Sequence, residues 1–193
     1  MHYIGSVVDR NPHGAETALS ADAGRNASAA ELKHSLQAAP AAFLRGALDN
    51  PRLSVDDVAL MLKNRGASGE LLARVGRDRR FTRDYEIKRA LVRHPRTPLP
   101  VSGTLIHHLY WRDLAEAAVD LALHPSVRRK SEDLLRIRLM ELALGERISL
   151  ARIASRGLIA ALRETGEERV LLALLVNPRL VEADAVAIAR GTG

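Results

Sequence analysis

The chain contains no cysteine. That excludes disulfides, thiolate nucleophiles, iron–sulfur ligation and the usual structural zinc sites, and it fits a reducing, cytoplasmic setting. Aromatic residues make up only 3% of the chain, with a single tryptophan, Trp111. So few rings argue against a base-stacking platform for single-stranded nucleic acid. Lysine is scarce too, confined to Lys33, Lys63, Lys88 and Lys130, so arginine carries most of the positive charge. The longest apolar run, Val170 to Val176, falls far short of the roughly 20 residues that cross a bilayer. No basic stretch followed by an apolar core opens the sequence, and the reading is of a chain with no targeting or membrane segment. Chemistry-bearing motifs are sparse. No glycine-rich phosphate loop occurs. The neighbouring His107 and His108 point about 100° apart on a helix, the wrong geometry for shared chelation. No cofactor, no metal and no enzymatic activity are expected.

What is present is a 193-residue chain with 29 Lys+Arg against 23 Asp+Glu, a formal net charge of +6 and a pI near 10.3. Such a balance favours solubility and acidic partners. Residues 1–27 are rich in Ala, Ser, Asp and Gly and poor in large apolar groups. They cannot bury enough surface to offset the entropy of ordering, so they read as a flexible tail before a helical-repeat domain at 28–190.

Within that domain the signals are helical throughout. Ser28-Ala29-Ala30-Glu31, Ser54-Val55-Asp56-Asp57 and Thr165-Gly166-Glu167-Glu168 have the spacing of capping boxes, in which Ser or Thr and an acidic residue satisfy each other's end of the first turn. Prolines then end helices by pushing the preceding residue out of the α region. The spacing predicts helices at 29–38, 41–49, 55–64, 69–76, 83–93, 100–109, 113–123, 127–144, 148–153, 156–163, 167–176 and 182–190, with no sheet. Apolar residues spread around most of the helices at 127–144 and 167–176, so both are expected to be covered on all sides.

A helix that ends in Asn or His followed by Pro recurs four times, at Asn50-Pro51, His94-Pro95, His124-Pro125 and Asn177-Pro178. The uneven spacing scatters around the length of a helical hairpin, roughly 34–47 residues. Asn50-Pro51-Arg52-Leu53 and Asn177-Pro178-Arg179-Leu180 match best. Together these segments resemble bacterial HEAT-like and leucine-rich-repeat-variant sequences over about residues 40–190. The resemblance implies an all-α fold, an α-solenoid of stacked degenerate helical hairpins, and a role in protein interaction or scaffolding. Some leucine-rich-repeat-variant proteins carry a cysteine-bound cluster, which this chain cannot hold.

Two candidate sites follow. Arg77, Arg79, Arg80, Arg83, Lys88, Arg89, Arg93 and Arg96 crowd one stretch, and Arg89, Arg93 and Arg96 fall on one helix face, opposite an apolar face. Arg128, Arg129 and Lys130 sit in the first turn of the next long helix, where positive charge opposes the macrodipole. The leading expectation is a non-enzymatic adaptor that binds a protein partner, an acidic one, through this surface. The alternative is contact with a nucleic-acid duplex backbone, and a merely solvated basic face stands beside both. The second candidate is Tyr110-Trp111-Arg112-Asp113, which is similar to the aromatic and aspartate pairing on the concave face of HEAT-like DNA alkylation glycosylases. Against that, Trp111 is read as a plug between hairpins and Asp113 as the cap of the following helix.

Overall fold

The computed structural model describes residues 20–191. Among them the chain is all-α: α1 Ala21–Asn26, α2 Ala29–Ser35, α3 Ala41–Ala47, α4 Val55–Met61, α5 Gly69–Arg77, α6 Arg79–Thr82, α7 Tyr85–Arg93, α8 Leu99–Leu105, α9 Trp111–Val119, α10 Pro125–Arg138, α11 Leu144–Ile153, α12 Arg156–Arg163, α13 Glu168–Leu174 and α14 Glu182–Gly191. Short 3-10 turns follow α8 and α10. No strand occurs among the described residues, and none of the described helices is long and apolar enough to cross a membrane. The chain divides into two compact units after Leu71, within α5.

In the first unit α1 packs on α3 and α2 on α4, around buried Leu32, Leu36, Phe43, Leu44, Val58 and Met61. The expected capping boxes at Ser28 and Ser54 are both formed. Residues 20–27 depart from the expected flexible tail. Ser20 caps α1 by accepting from the Ala23 amide at 3.2 Å, and Gly24 and Ala27 are buried. Small residues, not large ones, make this packing. A Cβ on Gly24 would lie 2.1 Å from the Phe43 carbonyl oxygen, and one on Gly46 would lie 1.7 Å from that of Ala21. The helices cross backbone to backbone, an approach that only glycine permits. Residues 1–19 lie outside the described residues.

In the second unit each helix from α7 to α13 again touches the next but one. The series α7, α9, α11 and α13 forms one run of neighbours, and α8, α10 and α12 form another. The helices at 127–144 and 167–176 are not covered all round. The first ends at Arg138, and Ile137 and Met140 are 73% and 72% exposed. The second, α13, ends at Leu174 and leaves Leu172 55% exposed, and Val176 beyond it is 66% exposed. The capping box expected at Thr165 is absent, because Thr165 is held in the turn that ends α12. Its hydroxyl donates to the Leu162 carbonyl at 2.7 Å, and Gly166 turns the chain with φ +66. Glu167 stands at the N-cap of α13 with no side-chain cap bond.

The Asn-Pro and His-Pro motifs acquire a physical role in both units. Asn50 is buried; its Nδ2 donates to the carbonyls of Gly24 at 3.0 Å and Ala27 at 2.8 Å, and its Oδ1 accepts from the Arg52 amide at 2.9 Å. Asn177 does the same, with Ala151 at 2.7 Å, Ala154 at 3.1 Å and the Arg179 amide at 2.8 Å. One amide therefore closes its own turn and caps the end of a helix in the preceding hairpin. Asn64, with no proline after it, makes the equivalent bonds to Ala39 at 3.1 Å and Gly66 at 2.9 Å. In His94 and His124 the ring Nδ1 accepts from the amide two residues on, at 3.2 and 3.1 Å. Imidazole thus replaces the Oδ1 half of the asparagine. His124 is the N-cap of α10, not the end of the helix before it.

Candidate functional site

The basic cluster and the aromatic tetrad, separate in the sequence, meet at the seam between α7 and α9. Tyr85 opens α7, with Arg89 and Arg93 one and two turns on. The Tyr85 hydroxyl donates to Asp113 Oδ2 and accepts from the Tyr110 amide at 3.1 Å. The two tyrosine rings stand 4.5 Å apart, tilted by 37°. Arg89 pairs with Asp113 Oδ1 at 2.8 Å and with Glu86 at 2.8 Å, and Arg93 pairs with Glu116. Asp113 is therefore engaged on both oxygens and does not cap α9, whose N-cap, Tyr110, makes no side-chain bond. Burial, reinforced by the bond to Asp113, pushes the Tyr85 hydroxyl up to about 12. A phenol raised this far stays protonated near neutral pH.

Trp111 is half-buried. Its Nε1 donates to Glu146 on α11 at 2.9 Å, and the Arg112 guanidinium lies 5.2 Å above its ring. Tyr110 is 68% exposed, and Arg112 is exposed as well.

The remaining basic residues scatter. Arg80 forks onto Asp78, with its NH2 at 2.7 Å, and that pairing holds the Asp78 carboxyl below its ordinary range. Arg77, Arg79 and Arg83 are exposed, Lys88 half-buried, and Arg96 exposed at the turn after α7. Lys130 donates to the Gly103 carbonyl at 3.0 Å, so it neutralises the end of α8 and answers the unfavourable placement near the start of its own helix. Arg128 is half-buried and Arg129 exposed. Three of the candidate cations thus stitch helices together: Arg89 and Arg93 join α7 to α9, and Lys130 joins α10 to α8.

A different surface emerges between α11 and α13. A groove of about 520 Å³ is lined by Ile148, Arg152, Arg169, Leu172, Ala173 and Val176. Arg169, Leu172 and Ala173, at i, i+3 and i+4, share one face of α13, and Val176 follows in the turn after it. Ile148 and Arg152 share one face of α11. Sequence reasoning passed over these residues because Val170–Val176 reads as uniformly apolar. The available signal was Arg169, which extends the face by one turn and would be costly to bury. No protein-family model, curated protein or solved structure matches the chain.

Proposed function

We propose that this chain is a HEAT-like α-solenoid protein that acts as a non-enzymatic adaptor and docks a protein partner. The alternation of touching helices within each unit supports the repeat architecture. The functional reading rests on one observation: the groove between α11 and α13 exposes apolar residues beside two arginines, whereas Arg89 and Arg93 of the stripe are held in internal ion pairs. A monomer exposes large apolar residues together mainly where something is to be bound. Duplex recognition asks for many free cations along a backbone, and two of the three stripe arginines, Arg89 and Arg93, already have carboxylate partners.

Site-specific photo-crosslinking in cells tests this. A benzophenone side chain in place of Leu175, beside the groove, is expected to give protein adducts, and one in place of Arg96 is not. Adducts with nucleic acid, or protein adducts from position 96 alone, would reject the adaptor reading in this form.

A further inference from the structure

We infer that the occupant of the α11–α13 groove is an acidic amphipathic helix of a partner protein, an inference that rests on the adaptor reading and specifies its partner. The apolar floor is set by Leu172, Val176 and Ile148, with Ala173 leaving room between them. The spacing of these residues along two neighbouring helices is what an incoming helix reads with its own i, i+3, i+4 and i+7 positions. The rim carries the sign of the partner. Arg152 and Arg169 line the groove, and neither has a hydrogen-bond or ion-pair partner among the described residues.

Other charges nearby are accounted for. Arg147 and Glu167 pair at 2.6 Å, and Glu146 accepts from Trp111 and from the Ala143 amide. Arg179, at the turn after α13, donates to the Ile153 carbonyl and adds positive charge at that end. Glu168 is exposed one turn before Leu172, at the start of α13, but does not line the groove. The groove is therefore apolar with cationic edges. In the α7–α9 seam of the same unit, every arginine that faces a neighbouring helix meets a carboxylate of this chain. Between α11 and α13 Arg147 meets Glu167 in the same way, whereas Arg152 and Arg169 meet no carboxylate among the described residues, and a partner that brings carboxylates completes the pairing.

A displayed library of amphipathic helical peptides tests the assignment, with an apolar stripe held constant and the flanking positions randomised over Asp, Glu, Ser, Lys and Arg. Selection is run on the intact chain and on an Arg152→Glu, Arg169→Glu variant whose melting temperature is checked first. Enriched peptides are expected to carry Asp or Glu at the flanks. They should lose about tenfold or more in affinity on the reversed variant and lose binding altogether on Leu172→Asp. On the reversed variant the selection should turn to Lys and Arg flanks. Neutral or basic flanks on the intact chain, or acidic peptides indifferent to the reversal, overturn the inference while leaving an adaptor in place. Peptides that bind strongly yet survive Leu172→Asp put the docking surface elsewhere and overturn it too. Failure of any helical peptide to bind rejects the inference, whereas the adaptor reading itself is decided by the crosslinking.

Discussion

Asn50 lies beneath the end of α1 with both ends of its amide in use, and Asn177 repeats the arrangement beneath α11. Because the capped carbonyls and the amide are buried together, truncation leaves several polar groups without partners. Asn177→Ala is expected to cost about 1–3 kcal/mol in urea denaturation. His124→Ala should cost much less, since His124 is exposed and supplies only the acceptor. Equal losses would mean that proline alone makes the turn. Tyr85 yields a second residue-scale prediction. Its hydroxyl is raised to about 12 in the folded chain, above the ordinary value near 10 for an unfolded tyrosine. The unfolded state therefore releases this proton first. The stabilisation is whole below about pH 10 and is lost as pH rises through about 12. Tyr85→Phe should flatten that alkaline fall in melting temperature, and an unchanged slope would show that the phenol is not the responsible group.

At the scale of elements, helices are held together by three distinct means: backbone contact, amide rungs and ion pairs. The α1–α3 crossing uses the first. Gly24→Ala and Gly46→Ala each drive a methyl into a carbonyl oxygen and should destabilise by about 1–3 kcal/mol or more. Gly145→Ala, with nothing within 4 Å of the new carbon, should be neutral or stabilise by up to about 1 kcal/mol. Thermal melts of the three variants check the opposition in sign. The α7–α9 seam uses ion pairs. Arg93→Glu, facing the half-exposed Glu116, should cost no more than about 1 kcal/mol. Arg89→Glu, against an Asp113 whose side chain is only 14% exposed, should cost more.

These same elements show how far the sequence could be read. Helix positions were legible from proline stops and from the boxes at Ser28 and Ser54, because those signals act over three or four residues. The α1 helix was not legible, since its packing depends on two glycines that meet only in three dimensions. The Asn-Pro recurrence was visible, but its second task, capping a helix more than twenty residues earlier, leaves no local trace. The internal ion pairs of the stripe were hidden for the same reason. Arg89 and Arg93 look free in one dimension, and Asp113 and Glu116, which neutralise them, lie a whole hairpin away.

For the molecule as a whole, a net charge of +6 is less telling than where the cations remain free. Ion pairs spend them at the α7–α9 seam and leave Arg152 and Arg169 beside exposed leucine and valine. The account stands on those apolar residues serving a partner and not the fold. The direct measurement is the yield of photo-adducts from position 175 in a Leu172→Asp, Val176→Asp variant, with its melting temperature taken on the same sample. Both side chains are more than half exposed, so stability should stay within about 0.5 kcal/mol of the parent's for each change while the adducts disappear. Adducts that persist beside a melting temperature several degrees lower would show that Leu172 and Val176 are packing residues, and that the partner docks on another surface.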